Sequence, residues 1–217
     1  MSALKYAWLT YRRETLWFPL AFLVFFVVIA WMMRRPDIRF AIARGYLGFM
    51  LPLIGGILAA YAVLDDPALE LRFATPTGAA RTLLTRLIPI LGVQAASGIA
   101  FQLFARGMAV DFSPLGGQVA VQMAWIVPTV VLGAVGTSGA LATAHCATGA
   151  FLTGAVWLVQ LLMRGWILSN CGMLYMFMGV LEPRHPDLRL SQTSLIVASA
   201  ALAVVSWRLL RRQERYL

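Results

Sequence analysis

Charge is scarce in this sequence. Of its 217 residues only 12% are Asp, Glu, Lys or Arg while 60% are hydrophobic, whereas a soluble domain carries about 25% charged residues. Mean hydropathy is +0.78. A chain of this balance has too little polar surface for water and reads as an integral membrane protein. Residues 112–163 contain no ionisable Asp, Glu, Lys or Arg, so an intramembrane carboxylate relay has few candidates and an ion-driven carrier is disfavoured. Lys5 is the only lysine. A phosphate-binding G-x-x-x-x-G-K-[ST] loop is therefore excluded, and with it ATP hydrolysis by that route. His145 and His185 are the only histidines, and they are not clustered with acids, which speaks against a histidine-rich catalytic zinc site. Cys146 and Cys171 lie in apolar sequence and read as small buried hydrophobes rather than a disulfide. Domain linkers, low-complexity tracts and long-period repeats are also missing, so residues 1–217 form a single transmembrane domain.

What is present in quantity is long uncharged sequence. Runs near the roughly 20 residues that cross hydrocarbon occur at 16–33, 45–64, 87–105, 119–135, 140–163 and 190–207. Their length and all-round apolar character predict an all-α, polytopic protein of six transmembrane helices, since a spanning strand needs only about ten alternating residues. A further uncharged segment at 165–181 is short and is interrupted by Ser169, Asn170, Cys171 and Gly172. It reads as a re-entrant helical pair before the sixth span, with irregular backbone that protein or water must cover. Residues 1–15 place Leu4, Trp8 and Tyr11 on one helical side and Lys5, Arg12, Arg13 and Glu14 largely on others, the pattern of an interfacial helix. A cleaved secretory signal is rejected, because the first apolar run is long and ends in Met-Met-Arg-Arg-Pro without a small-x-small site.

The tail 208–217 holds the densest basic run, Arg208, Arg211, Arg212 and Arg215, and such runs stay in the cytoplasm. With an even number of spans, both termini are then cytoplasmic in a cell inner (plasma) membrane. That arrangement places ten Lys and Arg inside against eight outside, and leaves Arg34, Arg35, Arg39 and Arg44 in the first outer loop, where they snorkel or bind an anionic group. The net charge of +9 reads as distributed membrane anchoring. A nucleic-acid role has no soluble basic domain to carry it.

Residues 65–86, DDPALELRFATPTGAARTLLTR, form a charged interruption between two apolar runs. Asp65 or Asp66 can cap a helix with Pro67 in its first position, Thr75-Pro76 stops that helix, and Thr77 caps the next. The short helix carries Leu69, Leu71 and Phe73 beside Glu70 and Arg72, so it can pack apolar side chains on a partner with its charges solvated. A loop of 65–80 with this content is suited to transmitting force.

Leu69, Glu70, Thr75 and Pro76 match the L-E-x-x-x-x-[ST]-P signature, and on these residues the chain resembles the type-2 ATP-binding-cassette (ABC) exporter permeases. The layout is similar to theirs throughout: interfacial helix, six spans, a coupling helix between the second and third, a re-entrant pair before the sixth, and an Arg/Glu-rich ending like Arg211-Arg212-Gln213-Glu214-Arg215. One departure is Asp65-Asp66-Pro67-Ala68, where the family commonly has a Glu and a Gly-Thr. The resemblance implies a permease subunit, forming a homodimer or a heterodimer with a homologous permease, that docks a separate cytoplasmic nucleotide-binding ATPase. ATP and magnesium would sit on that partner, with no cofactor, metal or catalytic site in this chain, so that it is no enzyme by itself. Leu69, Glu70, Leu71, Arg72, Phe73, Thr75 and Pro76 would form the coupling interface, Leu71 and Phe73 filling a notch on the ATPase and Glu70 and Arg72 fixing register.

Other readings remain open from the sequence. The haem-exporter permease of cytochrome c maturation shares the six spans and the acidic-then-Leu-Glu loop, and a non-transporting anchoring subunit would need no ATP coupling. Gly136-Thr137-Ser138-Gly139 matches the G-x-S-G of rhomboid-like intramembrane serine proteases, but His145 falls two turns further on the same helix if that helix is unbroken, out of reach as a base. The same glycines, with Gly133, read as a hinge between the fourth and fifth spans or as points of close helix approach. Met173, Met176 and Met178 with Cys171 suit copper(I) chemically, though methionine commonly serves packing. Trp125, Trp157, Trp166, Tyr175 and Phe177 could line a path or anchor spans at the interfaces.

Overall fold

Long runs of Leu, Val, Ala and Ile leave the backbone as the main polar content, and a helix satisfies that backbone within one segment. The computed structural model describes residues 13–64 and 79–211, and there the chain is helix and turn with no strand. Helix α1 (Arg13–Met32) stops ahead of Arg34-Arg35-Pro36. Arg35 is extended and Pro36 opens α2 (Pro36–Gly45), as expected of a pre-proline residue and of proline in a first helical turn. Arg39 ties this corner together, its guanidinium donating to the carbonyls of Met33 at 2.6 Å and Met108 at 3.2 Å.

Helix α2 runs without a break through a π-helical turn (Tyr46–Met50) into α3 (Leu51–Leu64). Pro52 has no N–H to offer the Gly48 carbonyl, and the ladder shifts, so that the Leu51 N–H bonds the Tyr46 carbonyl five residues back. Helix α4 (Ala79–Gly107) and α5 (Gln118–Thr143) are joined by a short 3-10 turn (Ser113–Leu115). Beyond α5 come α6 (Cys146–Leu162), α7 (Arg164–Cys171), a 3-10 turn (Gly172–Leu174), α8 (Met178–Leu181) and α9 (Leu188–Leu210).

Four segments are long and apolar enough to cross a membrane: Pro36–Ala62, Leu83–Gly107, Gln118–Thr143 and Leu188–Leu210. A fifth is counted if α6 and the Arg164–Leu174 segment, bent by 84° at Met163, make one span. The apolar part of α1, Trp17–Met32, is shorter than a full crossing. Six apolar runs are thus present as helices, but length and composition alone support four to five spans.

The expected hinge at Gly136–Gly139 is not there. Helix α5 continues through all three glycines to Thr143 and ends because Ala144 adopts the left-handed conformation (φ 56°). The glycines serve close approach instead. A Cβ on Gly136 would lie 2.3 Å from the Gly56 carbonyl oxygen, and one on Gly149 would lie 2.5 Å from the Gly136 carbonyl oxygen. Backbones of α3, α5 and α6 therefore touch, and α5 is the hub against which α3, α6 and α9 pack.

Large side chains fill the two ends of the bundle. At one end Tyr46, Phe101, Phe112 and Trp125 are buried together with Leu47 and Leu51, and the α1 side chains Leu23 and Phe26 cover them. At the other, Leu83, Leu141 and Leu210 are enclosed with Ala62, Leu64, Leu87 and Trp207. The outward faces stay apolar and exposed, as at Leu84, Ile88 and Leu103 on α4 and Val197 and Val204 on α9, which is the surface a hydrocarbon solvent requires.

Candidate functional site

The sequence-derived interface residues Leu69, Glu70, Leu71, Arg72, Phe73, Thr75 and Pro76 lie outside the described residues, as do residues 1–12 of the interfacial helix expected at 1–15 and most of the tail. The frame that carries that loop is described. Helix α3 delivers it at Leu64 and α4 receives it at Ala79, and the two helices pack on each other. Their ends share one apolar cluster with the C-terminal ends of α5 and α9 through Leu141 and Leu210.

Beside this end lies a cavity of about 710 Å³ among α3, α4, α5 and α9. Small residues make it: Gly55 and Ala59 on α3, Gly133 on α5, and Ala200 and Ala203 on α9 leave the space, while Leu87 of α4 faces them. Hydroxyls in the wall are mostly taken by backbone. Thr129 donates to the Trp125 carbonyl at 2.7 Å, Thr137 to that of Ala59 at 3.3 Å and Ser199 to that of Leu195 at 2.8 Å. The Ser206 hydroxyl has no partner. The wall thus presents mostly carbon to its contents, and among the described residues no charged side chain lines it. At its mouth the Arg211 guanidinium lies 4.1 Å from the centre of the Trp207 ring, a cation–π pair.

At the opposite end the chain from α7 to α8 forms a strap. Gln160, on the last turns of α6, donates to the Leu174 carbonyl at 3.0 Å and accepts from the Met176 N–H at 3.2 Å. Ser191 of α9 donates to the Tyr175 carbonyl at 3.0 Å, and Arg164 pairs with Glu182 across the strap. Its inner surface is pressed on the π turn: Phe177 stacks edge-on to Phe49 at 4.9 Å, and a Cβ on Gly48 would lie 2.6 Å from Val180. The Trp157 indole N–H donates to the Phe49 carbonyl at 3.1 Å. Tyr175 is fully buried with its hydroxyl unpartnered. The break foreseen around Asn170 and Gly172 is present, since α7 ends at Cys171, and an 84° bend falls earlier, at Met163.

The remaining candidate residues do not converge. Met173 is exposed, whereas Met176 and Met178 are buried with Tyr175 and Phe177. Cys146 and Cys171 are unpaired thiols. Among the described residues no three His, Cys, Asp or Glu side chains lie together as a metal-binding group. The Ser138 hydroxyl donates to the Val135 carbonyl of its own helix at 3.2 Å. His145 is not on that helix, as the fully helical path between them required; it lies past the Ala144 turn and caps α6 in an extended conformation.

Sequence reading missed the buried amides. Gln94 is fully buried in α4 and its side-chain amide, oriented to satisfy both ends, donates to the Leu51 carbonyl and accepts from the Gly55 N–H, each at 3.2 Å. Gln102 of α4 and Gln122 of α5 exchange amide bonds, one at 2.8 Å, and Gln122 also accepts from the Trp125 indole at 2.8 Å. The available signal was glutamine inside an apolar run, which needs an internal partner. Comparison of the chain with protein-family models, with curated proteins and with solved structures gives no match.

Proposed function

We propose that this chain is the transmembrane subunit of an ABC exporter, moving its cargo with ATP hydrolysed by a separate cytoplasmic nucleotide-binding subunit. The observation that carries this reading is the segment Leu69-Glu70-Leu71-Arg72-Phe73-Ala74-Thr75-Pro76, set between two apolar helices. Two further features support it. The flanking helices α3 and α4 share an apolar cluster with the ends of α5 and α9, so a partner gripping the loop has mechanical access to the bundle. The bent α6–α7 pair ahead of α9 suits the re-entrant element expected before a last span.

In this mechanism Leu71 and Phe73 enter a notch on the ATPase, Glu70 and Arg72 fix register, and Pro76 joins the loop stiffly to α4. Nucleotide-driven closure of two ATPase subunits pulls the loops of two permease chains. Moving a two-state equilibrium from 1:99 to 99:1 takes about 5.5 kcal/mol of differential binding, within reach of tight nucleotide binding on the partner. Both termini would face the cytoplasm.

The test is affinity capture of the tagged full-length chain from its native membrane. A nucleotide-binding protein with ATPase activity is expected to co-purify, and Phe73→Asp is expected to release it while the permease keeps its thermal stability. Exterior labelling of a cysteine placed at position 70 in intact cells would overturn the reading.

A further inference from the structure

We propose that the cavity among α3, α4, α5 and α9 is a binding site for an anionic phospholipid, whose acyl chain fills the cavity and whose phosphate rests on Arg208 and Arg211. The inference does not rest on the transport reading.

The shape suits a chain. The cavity opens sideways between α4 and α9, where the lips Leu84, Leu91, Ile196 and Val204 are all exposed. On α9 it extends from Ile196 to Trp207, which at 1.5 Å per residue is about 16 Å. That is about half of a 30 Å hydrocarbon core, the depth of one leaflet. The wall is mostly carbon, with its Thr129, Thr137 and Ser199 hydroxyls bonded to backbone and only the Ser206 hydroxyl, near the mouth, unpartnered, so an acyl chain loses little there and a polar cargo would find few donors.

The mouth supplies the headgroup selectivity. Trp207 stands near the end of the candidate span Leu188–Leu210, a place that suits an interfacial aromatic, and Arg208 and Arg211 follow it, both exposed, with Arg211 stacked on the Trp207 ring. Arg81, also exposed, lies one turn before the lip residue Leu84. Over their described residues α3, α4, α5 and α9 carry no Asp or Glu, and α4 and α9 carry the arginines. Basic pockets between transmembrane helices at the inner face take anionic headgroups. The same end carries the basic tail expected on the cytoplasmic side, so the lipid belongs to that leaflet.

The test is native mass spectrometry of the full-length protein in non-ionic detergent, titrated with phosphatidylglycerol or phosphatidylcholine of matched chains. Phosphatidylglycerol is expected to bind with about tenfold preference. The double variant Arg208→Gln, Arg211→Gln is expected to erase the preference while both lipids still bind. Arg34→Gln with Arg35→Gln, at the other end, leaves it intact. Ala203→Phe, filling the cavity from an exposed position, is expected to weaken both lipids alike. Equal binding of the two lipids to the unaltered protein overturns the proposal, as does a preference that survives the double variant or binding untouched by Ala203→Phe. Competition by millimolar glycerol phosphate would show a headgroup site without a chain and would equally overturn it. Should a variant aggregate, the lipid preference of the unaltered protein and its loss in high salt still decide.

Discussion

At Gly136 a single hydrogen atom on Cα separates a packed bundle from a clash. The Cβ of Gly136→Ala would stand 2.3 Å from the Gly56 carbonyl oxygen, and the obstacle is backbone, which cannot rotate away. Overpacking of this kind costs about 1–3 kcal/mol, and Gly136→Ala is expected to lower the thermal unfolding midpoint in detergent accordingly. Gly133→Ala is the matched control: its Cβ would meet only Ala59 at 3.8 Å, and the better helix propensity of alanine should hold or raise the midpoint. A second residue-scale prediction concerns Asp111, in the turn between α4 and α5. The Ser113 hydroxyl and N–H donate to its carboxylate at 2.6 and 2.8 Å and hold its pKa below the ordinary value of 3.8. A depressed folded pKa stabilises the turn above the unfolded value, and that contribution disappears as pH falls through the lowered one. Ser113→Ala should return the Asp111 titration, followed by carbon-detected NMR, upward toward 3.8.

Among the elements, the strap from α7 to α8 depends most on one side chain. Gln160 holds both the Leu174 carbonyl and the Met176 N–H, so Gln160→Leu removes two bonds at once and should accelerate hydrogen exchange of the 172–178 amides several-fold without lowering helix content. Glu182→Gln should do far less, because the Arg164–Glu182 pair is about 40% exposed on each side and such pairs contribute about 0–1 kcal/mol. The elements differ in how far they could be read from sequence. Apolar runs announced the helices, and Asn170 with Gly172 announced a break that falls at Cys171. The end of α5 was misplaced because glycine signals bending and close approach alike. What decides between them is Gly56, on a different helix and 80 residues away in sequence. The amides of Gln94, Gln102 and Gln160 were equally opaque, since a polar residue in an apolar run says that it has a partner and not which one.

For the whole molecule, the apolar character of the chain was legible at once, while the number of crossings was not. The run at 16–33 meets a composition rule, yet its apolar helix Trp17–Met32 is short, and the α6–α7 bend of 84° sets the run at 140–163 and the segment at 165–181 in different directions. The proposed function rests on the 69–76 segment of the sequence, and the prediction at this scale is the loss of a co-purifying ATPase on Phe73→Asp with the bundle intact. The contact of three backbones at Gly56, Gly136 and Gly149 bears on how such a bundle could work. Helices pressed together without intervening side chains have no rotamers to exchange and cannot ratchet past one another. In the transport reading proposed above, helices α3, α5 and α6 would then travel as one block, and alternation between inward and outward states would fall to α1, α4 and α9 swinging around it.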